Sequence, residues 1–263
     1  MYLEKEDVSL YYEVRGEGEP LLLIHGVVVD ADLYRNTAEI LSRYFRVITF
    51  DRRGNSRSVC KGERTFCMED QIEDIRDLLD ELQIECAYIV GASAGAVIGQ
   101  YFFQTYPQRV RHLIMYEPAM HGAMADDEEM KQWSDTMTEL IAQRKFSTAI
   151  LRFVEHIASY DDRGPKKDPK VSHREMGNYE YMLTQEFPGL LAYQPDMEKL
   201  LSQAEHITIA AGEKSGESAY ARIAVKLAER MGKKALFYPG YHNLPYDLPK
   251  EFAICVLGTL MLV

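Results

Sequence analysis

The sequence predicts an α/β protein in which helices flank a mostly parallel sheet and a helical segment is inserted into the chain. Three observations support this prediction. Short, continuous apolar runs recur along the chain, amphipathic helical patterns lie between them, and one long stretch contains helical patterns only. Continuous apolar runs are typical of strands buried on both faces of a parallel sheet. Strands that alternate with helices indicate a doubly wound arrangement.

Strands dominate the first part of the chain. The stretch "VSLYYEVRG" alternates between apolar and polar residues, whereas "PLLLIHG" and "RVITFDRRG" are short apolar runs that end near a glycine. We therefore expect one half-buried strand followed by two strands inside the sheet.

Helices and strands alternate over the next part. "EDQIEDIRDLLDEL", at 69–82, places five apolar residues on one helical face: Ile72, Ile75, Leu78, Leu79 and Leu82. The strand "CAYIVG" follows. A helix is then expected from about Ala94 to Tyr106, because Pro107 disfavours helical backbone before it. "RVRHLIMYEP" supplies the next strand.

A helical insertion interrupts this alternation. The patterns at 126–145, 146–160 and 171–185 are typical of helices, and the polar stretch "DDRGPKKDP" is expected to be a loop. Sheet patterns resume with "HITIAAG" and "KALFYPG", and a helix lies between them. We predict a core made of residues 1–118 and 201–263, with residues 119–200 as a helical cap over one edge of the sheet.

The charge of the chain limits its partners. The 263 residues carry a formal net charge of −11 at pH 7. Nucleic acids and anionic membrane surfaces repel an acidic protein at long range. We therefore expect a small-molecule substrate and neither of these partners.

The N-terminus and the cysteines indicate a compartment. "MYLEKEDVSL" lacks the basic and apolar segments of a secretory signal, so we expect a cytoplasmic protein. The cysteines are expected to be free thiols, with a disulfide between Cys60 and Cys67 as the alternative. The C-terminal "FAICVLGTLMLV" is shorter than the roughly 20 residues that span a bilayer. It is expected to be a buried closing helix or a contact in a homodimer.

The stretch "YIVGASAGAVIG" holds a serine between small residues. Its residues Gly91 to Gly95 fit the G-x-S-x-G pattern where a strand ends and a helix begins, the setting in which this pattern carries a nucleophilic serine. A helix N-terminus also favours negative charge beside the Ser93 oxygen. The same residues suit a turn where strand and helix simply pack closely, so the pattern alone leaves both interpretations open.

Two other stretches are placed to complete such a site. The strand "LLLIHG" ends at His25 and Gly26, and the loop after it can direct the Val27 N–H to the same point as the Ala94 N–H. Two such donors form an oxyanion hole. His25 itself is expected to be structural. "YPGYHNLP" places His242 after the last strand, where a neutral imidazole can act as a base, the alternative being a surface histidine without a role.

Together these stretches resemble the α/β-hydrolase superfamily over nearly the whole chain. Four groups carry the resemblance in the family's order: His25-Gly26, Asp51-Arg52-Arg53-Gly54-x-Ser56, Gly91-Ala92-Ser93-Ala94-Gly95, and His242 after Pro239-Gly240. In the second group, Asp51 and Arg53 are interpreted as an ion pair that holds the loop, without a part in the chemistry.

The resemblance implies a fold and a set of roles. It implies an eight-stranded, mostly parallel sheet with the helical cap inserted after the sixth strand. It also implies a nucleophile elbow at Ser93, a general base at His242, and oxyanion donors at Val27 and Ala94. No cofactor and no metal is expected.

The acid that supports the base departs from the commonest family pattern. That pattern has an aspartate after the seventh strand, where this chain has Ser215, and a hydroxyl cannot stabilise an imidazolium by charge. Glu117 ends the sixth strand, where some subgroups of the family carry the acid, and Glu213 lies two residues before Ser215. Glu117 is the preferred candidate, and Glu213 is the alternative.

The predicted function is that of a serine hydrolase of the carboxylic ester type, acting on a small to medium hydrophobic ester or lactone through an acyl-enzyme. Carbon–carbon bond hydrolysis and cofactor-free haloperoxidase activity are alternatives on the same triad. A non-catalytic protein that binds a small ligand is another. Met and aromatic residues of the insertion are expected to pack helices and in part to line an apolar pocket: Met120, Met124, Trp133, Met137, Phe146, Phe153, Tyr179, Tyr181 and Met182.

Overall fold

The computed structural model describes residues 1–63, 65–124, 127–157 and 168–263. Of the predicted loop "DDRGPKKDP", residues 161–167 lie outside the described residues, as do the predicted helix residues 126 and 158–160.

The described residues form one sheet of nine strands. Their bounds are β1 (Tyr2–Glu4), β2 (Val8–Arg15), β3 (Glu19–Ile24), β4 (Phe45–Phe50), β5 (Val59–Cys60), β6 (Ala87–Ala92), β7 (Val110–Tyr116), β8 (Ile207–Gly212) and β9 (Leu236–Tyr238). Eight strands follow the order β1-β2-β4-β3-β6-β7-β8-β9, and the two-residue β5 pairs with β2 beside them. The strands from β4 to β9 in this order are all parallel, and β1, β2 and β5 pair in antiparallel fashion. This confirms the predicted mostly parallel sheet.

Helices cover both faces of the sheet, which explains why the strands are continuous apolar runs. In β3, Leu21 and Leu23 pack on one face, while Leu22 and Ile24 pack on the other. The helices that share the first face are α1 (Arg35–Leu41), α10 (Leu244–Asp247) and α11 (Pro249–Leu260). The helices on the second face are α2 (Met68–Glu81), α3 (Ala94–Thr105) and α9 (Ala219–Arg230).

Between β7 and β8, the described residues form five further helices. They are α4 (Glu128–Ala142), α5 (Phe146–Ile157), α6 (Pro169–Tyr181), α7 (Phe187–Ala192) and α8 (Met197–Ser202). Helices α6 and α7 are joined without a break by one π-helical turn, Met182–Glu186. The third predicted helix is therefore longer than its sequence pattern, because the chain continues through this turn.

The expected ion pair between Asp51 and Arg53 is wrong. Asp51 instead pairs with Arg57, whose Nε lies 2.7 Å from Asp51 Oδ2, and Asp51 Oδ1 also accepts the Ala31 N–H. Arg53 is turned toward α2, where it contacts both carboxylate oxygens of Asp74 at 2.8 Å. Both residues do hold the loop, but each does so through a different partner.

Two smaller predictions concern the cysteines and the C-terminal stretch. All four cysteines are free, so the alternative disulfide between Cys60 and Cys67 is not formed. Among the described residues, no helix has the length and apolar character needed to cross a membrane.

Candidate active site

Ser93 lies in a strained turn between β6 and α3. Its φ of 56° and ψ of −124° fall in a region that non-glycine residues rarely adopt. The Ser93 N–H donates to the Tyr116 carbonyl at 3.0 Å, and the Ser93 carbonyl accepts from Ala96 and Ala119. These bonds tie the turn to the helix and to β7, and they hold the strained conformation in place.

Close packing accounts for the two glycines of the pentapeptide. A Cβ on Gly91 would lie 2.4 Å from the Gly95 carbonyl oxygen, and a Cβ on Gly95 would lie 2.1 Å from the Ile24 carbonyl oxygen. Helix α3 therefore approaches β6 and β3 more closely than a side chain allows. Packing explains the glycines, but it does not explain why a residue with a side chain occupies the strained position 93.

The loop after β3 passes directly against Ser93. A Cβ on Gly26 would lie 3.0 Å from the Ser93 Cβ, so the next residue, Val27, begins beside the serine. Within the described part of the chain, neither the Val27 N–H nor the Ala94 N–H donates a hydrogen bond. Two amide donors next to the serine oxygen are thus free to bind a developing negative charge.

His242 pairs with Glu117 at the edge of the sheet. His242 Nδ1 donates to Glu117 Oε2 at 2.7 Å, and Glu117 Oε1 accepts the Gly212 N–H at 2.9 Å. Glu117 follows β7 and is fully buried. Burial opposes ionisation of its carboxyl, but the hydrogen bonds from His242 and Gly212 outweigh burial and lower the Glu117 pKa below its usual range.

Glu213, the alternative acid, lies elsewhere. Its side chain is exposed, and its backbone N–H pairs with the Tyr238 carbonyl. Ser215, at the position where the family commonly has an aspartate, is buried next to Glu117. The residues after β7 and β8 therefore lie side by side, and the carboxylate that contacts His242 follows the first of these strands.

A cavity of about 230 Å³ connects Ser93 and His242. Its wall is mostly apolar, with the Tyr179 and Asn243 side chains as further polar contributions. The lining residues are Gly26, Val27, Val28, Val29, Leu33, Ala92, Ser93, Phe153, Val154, Ile157, Tyr179, His242 and Asn243.

The insertion contributes to this cavity through α5 and α6. Of the Met and aromatic residues singled out in the sequence, Phe153 and Tyr179 line the cavity, and most of the others are buried among the helices. Among the lining residues that the sequence did not indicate are Val154, Ile157 and Asn243. The position of Asn243 directly after His242 could have indicated that it lies near the site. For the two aliphatic residues, the sequence shows only that they lie on an amphipathic helix.

An aromatic cluster lies beside His242. The Tyr220 ring is centred 5.3 Å from the His242 ring. The Tyr220 ring also contacts His121 and His156, which stack with Trp133 at ring distances of 5.2 and 3.7 Å. Burial lowers the pKa of His121 to about 4 and that of His156 to about 3, so both are neutral at physiological pH.

Comparison with known proteins agrees with this architecture. The sequence matches the alpha/beta hydrolase fold family over residues 19–172. It is 30% identical over 256 residues to the uncharacterised hydrolase YraK of Bacillus subtilis. This match covers 95% of this chain and 92% of YraK.

Two solved structures share the fold. A thermophilic esterase from Thermogutta terrifontis superposes with a TM-score of 0.75 at 20% identity, covering 97% of this chain and 93% of the esterase. A Pseudomonas aeruginosa protein described as a putative epoxide hydrolase superposes with a TM-score of 0.77 at 16% identity. The match covers 99% of this chain and 94% of that protein. From the sequence match, the sheet order and the serine turn together, we conclude that the chain belongs to the alpha/beta hydrolase fold family.

Proposed function

We propose that the protein is a serine hydrolase that cleaves a small to medium hydrophobic ester or lactone through an acyl-enzyme intermediate. The observation that carries this proposal is the buried Glu117–His242 pair, which shares one cavity edge with the strained Ser93. A serine, an imidazole and a carboxylate in this order are the parts that nucleophilic acyl transfer requires.

Each group has a defined step in the proposed mechanism. Ser93 Oγ attacks the substrate carbonyl carbon while His242 takes its proton. Because Glu117 accepts a hydrogen bond from His242 Nδ1, the Nε2 atom is left as the base. The Val27 and Ala94 N–H groups stabilise the oxyanion.

The acyl-enzyme then reacts with water. His242 returns the first proton to the leaving alcohol oxygen, then takes a proton from the water that attacks the acyl carbon. Collapse of the second tetrahedral intermediate breaks the bond between the acyl carbon and Ser93 Oγ and releases the acid, while His242 gives the proton from water to Ser93 Oγ. Glu117 stays ionised throughout and stabilises the imidazolium that forms twice, which agrees with its lowered pKa.

The size and the lining of the cavity favour a small substrate. Its volume of about 230 Å³ and its Val, Leu, Ile and Phe wall favour a short apolar acyl group or a small lactone ring. Tyr179 and Asn243 offer hydrogen bonds to a polar substituent on an otherwise apolar substrate.

Several related chemistries are less well supported. Epoxide hydrolases and dehalogenases of this fold use an aspartate nucleophile, and position 93 is a serine. Carbon–carbon bond hydrolysis and haloperoxidase activity share the serine triad and remain alternatives. A non-catalytic ligand-binding protein is disfavoured, because it has no need of a strained serine beside a buried histidine–carboxylate pair.

A fluorophosphonate probe tests the proposal. The protein should be labelled at one serine, and Ser93→Ala should abolish labelling. An unlabelled wild-type protein would support the ligand-binding alternative. A panel of p-nitrophenyl esters from acetate to decanoate, with γ- and δ-lactones alongside, should then show a preference for the short members. A preference for the longest esters would contradict the size assigned to the acyl pocket.

A further inference from the structure

We propose that Arg52 is a positioning residue that fixes the direction of the Val27 N–H, and that Glu186 of the inserted helices holds Arg52 in place. The inference rests on the proposed function, because it concerns the oxyanion donor of that reaction. Arg52 is fully buried just after β4, and it belongs to none of the groups that act on substrate in the mechanism above.

Arg52 binds the backbone immediately before Val27. Its Nε donates to the His25 carbonyl at 3.0 Å and its Nη2 donates to the Gly26 carbonyl at 2.9 Å. Two atoms of one rigid guanidinium therefore hold two successive carbonyls of the loop.

Peptide geometry transmits this contact to the oxyanion donor. The Gly26 carbonyl and the Val27 N–H belong to the same planar trans peptide, so they point in opposite directions. Holding the Gly26 oxygen toward Arg52 therefore holds the Val27 N–H toward the opposite side. Since Gly26 and Val27 both line the cavity at Ser93, the anchored peptide sets the aim of the donor.

His25 supports the same peptide. Its Nδ1 donates to the Gly26 carbonyl at 2.7 Å, while its Nε2 accepts the Arg52 N–H at 2.9 Å. This pattern requires a neutral imidazole protonated on Nδ1. Burial and the positive charge of Arg52 lower the pKa of His25 to about 3, which keeps the ring in that form.

Glu186 supplies the counter-charge from the insertion. Its Oε1 lies 2.6 Å from Arg52 Nη1, and both side chains are fully buried. Arg52 Nη1 also contacts Gln71 Oε1 at 3.3 Å. Desolvation makes a fully buried ion pair a weak source of stability. The main effect of the Arg52–Glu186 pair is therefore to fix the position of the Arg52 side chain. It ties the π-helical turn of the insertion to the loop that carries the oxyanion donor.

The neighbouring arginine offers a matched control. Arg53 is also buried and pairs with Asp74 on α2 and with Asp7, but it makes no contact with the His25 or Gly26 carbonyl. Replacing either arginine with methionine removes one buried charge and takes the arginine away from a buried carboxylate, which is Glu186 for Arg52 and Asp74 for Arg53. Only Arg52→Met also releases the Gly26–Val27 peptide.

The kinetic test compares Arg52→Met, Arg52→Lys and Arg53→Met on a short p-nitrophenyl ester. Arg52→Met should lower kcat about tenfold to a hundredfold with little change in KM. An N–H that no longer points at the oxyanion has nearly the same effect as the removal of an oxyanion-hole donor. It should weaken binding of butylboronic acid, a tetrahedral adduct former, by a similar factor.

Arg52→Lys retains the charge but not the planar fork, so it should not restore kcat. Arg53→Met should keep kcat within about threefold of wild type, although it also loses stability. Equal losses of kcat in Arg52→Met and Arg53→Met would overturn the proposal.

A structural readout separates this inference from the proposed function. In a crystal structure of Arg52→Lys, which keeps most of the buried volume, the Gly26–Val27 peptide should be rotated or occupy two orientations. An unchanged peptide overturns the positioning role, whatever happens to kcat. A wild-type protein that neither hydrolyses esters nor reacts with fluorophosphonate overturns the proposed function instead, while the peptide orientation still decides the role of Arg52.

Discussion

At the scale of single residues, the proposed nucleophile is the least replaceable side chain of the site. Ser93→Ala removes one oxygen atom at a position already 95% buried, since Ser93 is 5% exposed. Ester hydrolysis should fall by a factor on the order of 10³ to 10⁶, while the free energy of unfolding changes little. Initial rates on a p-nitrophenyl ester and a urea unfolding curve measure the two effects. An active Ser93→Ala enzyme would contradict the mechanism.

The two candidate acids make a matched pair of variants. Glu117→Gln removes the charge beside His242 and allows the amide nitrogen to face the ring, so kcat should fall by roughly 10² to 10⁴. Glu213→Gln, on an exposed side chain, should leave kcat close to wild type. Rate measurements at one pH are sufficient. A larger loss for Glu213→Gln would move the acid to the turn after β8.

Sequence reasoning could propose these residues because each stands at or shortly after the end of a predicted strand. The G-x-S-x-G pattern and a histidine after the last strand narrow the choice to Ser93 and His242. Which carboxylate meets His242 depends on how β7 and β8 end beside each other, and both Glu117 and Glu213 satisfy the linear pattern. The contacts of Arg52 have no local signal, because its carbonyl partners in the loop after β3 lie 26 and 27 positions away and Glu186 lies 134 positions away.

At the scale of elements, the approach of α3 to β3 sets the position of the serine turn. A Cβ on Gly95 would lie 2.1 Å from the Ile24 carbonyl oxygen, so Gly95→Ala should push the helix away and cost about 1–3 kcal/mol or more. Activity should fall as well, because α3 begins with Ala94. Chemical denaturation and ester hydrolysis measure both effects.

Gly177 is the control for this substitution. It lies within α6, and a Cβ there would meet nothing within 4 Å. Gly177→Ala should therefore stabilise the protein by about 0.5–1 kcal/mol through helix propensity alone. Stabilisation by Gly95→Ala would show that the helix moves at no cost.

The sequence could predict the helices and strands that are long enough to show a regular spacing of apolar residues. Amphipathic α2 was predicted within one residue at each end, and α3 begins where the sequence predicts. The three-residue β1 and two-residue β5 are too short for any alternation to appear, and they are defined by their pairing with β2. The π-helical turn between α6 and α7 depends on tertiary contacts such as that of Glu186 with Arg52.

At the scale of the whole molecule, buried neutral histidines make stability depend on pH. The pKa of His121 is lowered to about 4 in the folded protein, whereas an unfolded histidine titrates near 6.5. The unfolded state therefore binds more protons as pH falls through 6.5, and stability is lost on acidification. His121 alone should cost about 2 kcal/mol between pH 7.5 and pH 5.

Urea unfolding at these two pH values measures the effect. His121→Phe retains an aromatic ring in the stack without a titrating group, so the loss between pH 7.5 and pH 5 should shrink by that amount. His173→Gln, at an exposed position, should leave the pH dependence as in wild type. An unchanged pH dependence in His121→Phe would show that this ring is not kept neutral by folding.

The order of the residues along the chain also determines the order in which the parts of the candidate site are synthesised. Ser93, Glu117 and both amide donors are made within the first 117 residues, but their base is made only after β9, at position 242. During synthesis, Ser93, the proposed nucleophile, is followed by 149 further residues up to and including His242, its proposed base (242 − 93 = 149). Until then the nascent chain lacks the base that the proposed mechanism requires. In a refolding experiment, the return of activity would report the docking of the last two strands.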